Sequence, residues 1–589
     1  MFTIISLLIL PLFSCAAPAE AESVDALIAR GRVLLTEGKP LEAQALFEAA
    51  EAQDGASLKT RMWTLRSWLP QGRVNDTLNE IDKLDRAGTK GPEMDYLYGM
   101  AFAFKAKGYI EERAPAGVVD MAFQDAVRYL DKATRVDAVR FADAFAPLAE
   151  SAWYARQLPL ARSAADKATR LAPTDPEMQL LLGQVAIAQF VASNAIEAEK
   201  DLARSHWDTA CAANLKAAQL LGTVGTPAAR ARTATPHLEL ARAFGWKKMS
   251  AEAAREYALA LGYDPSIVDF GEVRGALDPA QFVTTLEAGC KNFVDNWGPE
   301  NPGDATIQWW LGFAQFDQKQ YAAAEAAFLA AVKKRPDYYN SWFYTALARY
   351  HQQKYAEAIE ALRKNFDENP VDLVASIDGN RGYNIPIIDF LIGWSAQKNR
   401  NLDAAFLSEV ETAVAPEHAP YWNNLGLFYR DAGDALARSK KETDKARAKE
   451  LWEKSLVAYE KSLSLAPDDP NYMNDLAVIL DYNLQRELPR AKALYAKALE
   501  RATAELERKD LTSAVRELRV MAARDAKNNL ERLVRQAEKE KEREKAKEQE
   551  KKDTPPAPVP VPPEKKDAEK EGGEKKEGLK QDVRAAVVR

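Results

Sequence analysis

Few side chains in this 589-residue chain are of the kinds that do chemistry by themselves. The histidines, His206, His237, His351 and His418, stand far apart. A zinc protease needs two of them one helical turn apart with a glutamate between, and that spacing does not occur. The sequence carries no phosphate-cradling P-loop, no G-x-S-x-G serine turn and no dinucleotide fingerprint. Three cysteines, Cys15, Cys211 and Cys290, make neither a C-x-x-C pair nor a cluster with histidine. The loop Asp378-Gly-Asn-Arg-Gly-Tyr383 alternates Asp378 and Asn380 as a calcium loop does, but lacks the third carboxylate and the closing glutamate. It reads as an exposed turn. No enzyme, metal or other cofactor is expected, and the chemistry left is recognition.

The elements that would position recognition residues are written as a repeat. Leu311, Gly312, Tyr321, Ala324, Phe328 and Pro336 are followed by Thr345, Ala346, Tyr355, Ala358, Leu362 and Pro370, each 34 residues later. Small residues belong where two helices cross closely, bulky ones fill the space beside the crossing, and the prolines sit between hairpins. One such hairpin cannot bury its own apolar face, so it must stack on its neighbours. Further copies read through Gly31, Gly38, Ala43, Phe47 and Ala50; through Ala161, Ala165 and Ala168; and through Ala253, Tyr257 and Ala260. Ser455, Tyr459 and Ser462, then Ala491, Tyr495 and Ala498, continue the series. The pattern is weak near 57–136 and 374–416.

Trp422, Leu425, Gly426 and Tyr429 spell W-x2-L-G-x2-Y, and with the 34-residue period they resemble the tetratricopeptide repeat. The resemblance covers about residues 25–500 and implies an all-α fold, an α-solenoid of stacked helix–turn–helix repeats. It also implies that the first helix of each repeat lines a concave face that binds a protein or peptide. Carried over by offset, that face receives Trp309, Phe313, Phe316, Phe343, Leu347, Tyr350 and His351. Arg242 and Trp246 come from an earlier unit, and Asn423, Arg430 and Asn474 from later ones. The competing reading is that first-helix aromatics only pack against the next repeat.

Residues 2–13 are apolar but too short to span a bilayer as a stable helix, and small residues follow from Ser14 to Ala21. This is the shape of an export signal, so the expected place is the periplasm or cell envelope. Three endings stay open: cleavage at Ala19 or Ala21, lipidation of Cys15 within Leu12-Phe13-Ser14-Cys15, or a retained anchor. Only such a lipid or uncleaved signal would attach the chain to a membrane. The formal net charge is −7 with the basic residues scattered, which argues against nucleic acid. Cys211 and Cys290 lie more than two repeats apart, too far for a disulfide.

The expected organisation is a signal at 1–21, a first array at 22–265, an irregular connector at 266–304 and a second array at 305–505. A charged helix at 506–551 and a disordered tail at 552–589, with Pro555–Pro563 as a polyproline spacer, would follow. Leu518, Met521, Leu530 and Leu533 are candidates to dock the charged helix onto the array end. About seventeen extra residues in the Trp422 repeat, by count against the 34-residue unit, should lengthen both of its helices. The function expected is a non-catalytic envelope scaffold. A carrier or assembly factor for envelope polysaccharide or outer-membrane components is the alternative.

Overall fold

A computed structural model describes residues 22–55, 57–222 and 229–553. The segment 1–21 with Cys15, and the tail beyond Asp553, lie outside the described residues. Among the described residues every regular element is a helix, and successive helices pack on their chain neighbours. The chain divides into two compact units, Met1–Leu391 and Ile392–Arg589.

The hairpins close through one repeated contact. Second helices carry residues at i, i+4 and i+7, which share a face. Ala43, Phe47 and Ala50 are buried on that face, as are Ala324, Phe328 and Ala331, and Ala491, Tyr495 and Ala498. Phe47, Phe328 and, in the Trp422 repeat, Tyr459 each fill the hollow above a glycine of the first helix, Gly31, Gly312 and Gly426. A Cβ added at Gly312 would lie 2.8 Å from Phe328, and one at Gly426 2.6 Å from Tyr459. Burying each ring in this way contributes about 2–3 kcal/mol. Of the residues read as framework, Leu311, Gly312, Ala324, Phe328, Ala358, Leu362, Leu425, Gly426 and Tyr429 are buried. Tyr321 and Tyr355 are half-buried at the starts of their helices, and the Trp422 indole N–H donates to the Pro416 carbonyl at 2.8 Å.

The turn inside each hairpin is equally regular. Lys319 and Gln353 adopt left-handed φ values of 61° and 62°. The following amides then reach back, Gln320 to the Gln315 carbonyl at 2.8 Å and Lys354 to that of Arg349 at 2.9 Å. Those bonds satisfy carbonyls the helix end would otherwise leave open. Proline marks the links between hairpins. Pro336 follows the helix Tyr321–Lys334, whereas Pro370 opens the helix Pro370–Asp378, where its missing N–H costs nothing.

Three expectations change. The stretch 266–304 is not an irregular connector: it holds the helices Phe270–Ala276 and Pro279–Trp297, whose Phe282, Leu286 and Phe293 share a core with Ile307 and Leu311. A capping box of Asp278 and Gln281, with Pro279 at the first helical position, starts the longer helix, and the turn-forming residues Gly298, Pro299 and Asn301 occupy only the short link after it. The loop expected at 378–383 shrinks to a break between the helices Pro370–Asp378 and Arg381–Gln397. There Asn384 Nδ2 donates to the carbonyls of Ser376 and Ile377 at 3.2 and 3.1 Å. Finally, the charged helix runs Ser513–Asp553 and docks through Ala522, Ala526, Leu530 and Leu533, while Leu518 and Met521 are exposed. Leu518 and Met521 fall off the stripe that 522, 526, 530 and 533 form at helical spacing.

In the second unit the Trp422 repeat has helices Ala419–Ala437 and Glu442–Leu465, of 19 and 24 residues. The hairpin beginning at Ala305 has 13 and 14. The inserted residues therefore lengthen both helices.

Candidate functional site

The helix Ala419–Ala437 presents Arg430 and Asp434 one turn apart, and Pro470–Val478 presents Asn474 and Asp475. These line a cleft of about 580 Å³ together with Tyr482 and Asn529. Two local features build it. The chain leaves Val478 through a π-helical turn, Ile479–Asn483, which swings Tyr482 and Asn483 to the rim. The helix Ser513–Asp553 supplies the opposite wall with Asp525, Asn528 and Asn529.

The polar groups are held, but not all are satisfied. Asp434 Oδ1 accepts from Trp452 Nε1 at 3.0 Å and from Asn483 Nδ2 at 2.5 Å. Asn423 Nδ2 donates to Asp475 Oδ2 at 3.0 Å, and the Tyr482 hydroxyl donates to Asn529 Oδ1 at 2.8 Å. Arg430 is fixed by two bonds, 3.1 and 2.9 Å, to Asp431 Oδ1. Against this, Asn423 Oδ1, Asn474 Oδ1 and the Tyr459 hydroxyl are buried without a hydrogen-bond partner. Orphaned buried acceptors cost about 1–3 kcal/mol each, which a donor supplied at the cleft would recover. Burial raises the Asp475 carboxyl above the usual aspartate range against the opposing Asn423 bond and Arg430 charge, and it pushes the Tyr459 hydroxyl well up.

The aromatic residues of the first unit form a connected belt. Trp309 stacks on Phe313 with centroids 5.6 Å apart and meets Tyr344 edge-on at 5.4 Å. Phe316 and His351 both lie against Tyr321, the imidazole stacked at 4.5 Å. His351 Nε2 and the Tyr383 hydroxyl share a 2.6 Å hydrogen bond, and burial lowers the imidazole below its ordinary value. Tyr350 meets Tyr355 and the exposed Phe390. The belt spends most of its ring faces on itself.

Three residues carried over by offset are placed differently from that expectation. Phe343 and Leu347 are buried, because their helix turns that face toward its neighbours. Arg242 is engaged by Glu272, with Nε–Oε1 2.9 Å and Nη2–Oε2 3.0 Å, and by Glu239 at 3.2 Å. Trp246 is about half exposed, with Phe190 at 6.3 Å. Asn423, Arg430 and Asn474 are instead brought together. Sequence reasoning missed Asp434, Asp475, Tyr482 and Asn529. The doubled Asn528-Asn529 on an otherwise charged helix was the available signal.

Neither remaining cysteine is paired: Cys211 is half-buried and Cys290 buried, and burial pushes their thiols up to about 11 and about 12. His237 Nδ1 lies 2.8 Å from Glu256. Among the described residues no group of three or more His, Cys, Asp or Glu is placed to hold a metal, and no helix is long and apolar enough to cross a membrane.

Among solved structures, the chain resembles the MamA protein at 17% identity, covering 35% of this chain and 96% of that one, with a TM-score of 0.22. It resembles the APC/C hetero-tetramer Cut9–Hcn1 at 12% identity, covering 86% and 96%, with a TM-score of 0.27. The C-terminal part of a TPR repeat-containing protein from Cytophaga hutchinsonii matches at 14% identity, covering 48% and 99%, with a TM-score of 0.26. A comparison with curated proteins finds no match. The tetratricopeptide repeat family model matches residues 147–210, 291–337 and 311–370, the last two covering the segment whose 34-residue period and glycine–ring contacts are set out above. Over those segments, 147–210 and 291–370, the chain is similar to the tetratricopeptide repeat.

Proposed function

We propose that this protein is a non-catalytic scaffold of the cell envelope that holds an extended polypeptide in the cleft of its second unit. The observation that carries the reading is the unpartnered amide oxygen of Asn474 beside Arg430 in the cleft, with that of Asn423 behind it, where Asn423 bonds Asp475. An asparagine amide offers one acceptor and two donors, the complement of a peptide unit, and at successive repeats such amides read a backbone without regard to sequence. Side chains of the bound segment then add the specificity. The envelope is supported by the apolar segment 2–13 and the small residues after it.

The purified full chain, immobilised and offered a random peptide pool and a set of envelope glycans, should retain peptides. Asn474→Ala and Asn423→Ala should each weaken retention about tenfold, the scale of one or two lost hydrogen bonds. Retention of glycans in place of peptides, or cleavage of the pool, would replace the reading with the carrier or an enzyme. The mass of the mature amino terminus separates alanine cleavage, Cys15 lipidation and a retained anchor, and recovery of an unprocessed chain outside the envelope fraction would contradict the location.

A further inference from the structure

We propose that the cleft takes a basic side chain, lysine or arginine, from the polypeptide it holds. The inference rests on the scaffold reading and names what the bound segment must carry. Asp434, Asp475 and Asp525 line the cleft against the single cation Arg430. That cation is already bonded by its own neighbour Asp431, and Asp525 is paired with Arg524 at 2.8 Å. Asp434 and Asp475 are held by neutral donors, Trp452, Asn483 and Asn423, rather than by a bonded cation.

A second observation is independent of charge. Asn474 is 8% exposed, lines the cleft, and its Oδ1 has no partner. Behind the lining, Asn423 bonds Asp475 through Nδ2 and leaves its own Oδ1 without a partner, so the acceptor at the cleft wall lacks a donor. An ammonium brings three donors and a guanidinium five, and neither carries an acceptor that would itself need satisfying. A carboxylate brings none and meets an acid excess. Leu427 and Val478 line the same cleft and give the methylene stem of a long basic side chain an apolar wall.

The test uses the full chain and fluorescein-labelled short peptide pools, randomised except at a central lysine, arginine, alanine or glutamate. Lysine and arginine pools should bind about tenfold more tightly than the alanine pool, and the glutamate pool more weakly. Asp475→Asn and Asp434→Asn should bring the lysine-to-alanine ratio close to unity, and Arg430→Gln should raise it. The Asp475→Asn melting temperature, expected at or above that of the wild type, separates lost binding from lost folding. Equal affinity for the lysine, alanine and glutamate pools, or a preference for glutamate that Arg430→Gln abolishes, overturns the basic-side-chain assignment and leaves the scaffold standing. Retention of no pool at all overturns both.

Discussion

At the scale of single residues, two side chains of the best-patterned hairpins show how local chemistry sets stability. Lys319 holds a left-handed conformation that costs a residue with a Cβ roughly 1–2 kcal/mol, part of which glycine's greater chain entropy offsets. Lys319→Gly should therefore raise stability by up to about 1 kcal/mol, read as a higher melting temperature, and Lys319→Val should lower it. Glu325 is the acid counterpart. Burial opposes its charge, but hydrogen bonds from Arg349, Lys354 and Gln352 outweigh burial and hold the carboxyl below the usual glutamate range. A depressed folded-state value means that the stabilisation is complete above the unfolded glutamate value. It is lost as pH falls through the folded one. The wild-type chain should thus lose more stability than Glu325→Gln between neutral and acid pH, and parallel melting curves for the two would refute the assignment.

At the scale of elements, the helix Ser513–Asp553 has two jobs that its composition hides. Most of it has nothing to bury, yet Ala522, Ala526 and Leu533 seat it against Tyr495, Ile479 and their neighbours. Arg519 pins its start, bonding Asp469 at 2.9 Å and Glu505 at 2.6 Å. Solenoids need a terminal cap with a polar outer face, and this helix is one. Ending the chain before Ser513 should expose the apolar end, lower the melting temperature of the second unit and promote self-association, seen as a rising apparent mass by light scattering. It should also abolish peptide retention, because Asp525 and Asn529 form one wall of the cleft. The docking stripe was half legible: Leu530 and Leu533 follow from apolar spacing. Ala522 and Ala526 do not, since alanine on a charged helix is as much a helix former as a contact.

At the scale of the whole molecule, stability is local because within each unit hairpins touch their chain neighbours. Phe328→Ala removes a fully buried ring above Gly312 and should cost about 3–5 kcal/mol where it acts. Hydrogen exchange should speed up through the helices Ala305–Asp317 and Tyr321–Lys334 and their neighbours, while amides of the helix Leu488–Leu506 keep their protection. Uniform loss of protection along the chain would show a single cooperative unit instead.

The sequence alone determined the hairpins. Period, alternation of small and large residues and helix signals are local, so Ala324, Phe328 and Tyr459 could be placed in the core and Asn423, Arg430 and Asn474 on one face before any coordinates. It did not determine the helix Pro279–Trp297, whose capping box was outweighed by the turn formers after it. Nor did it show that Arg242 is consumed by Glu272, thirty residues on. Only the tertiary structure decided the cleft, because its walls come from helices as far apart in sequence as Arg430 and Asn529. Periodicity tells which face a residue occupies. Which other face it meets, and whether a buried amide finds a partner there, depends on how distant segments pack.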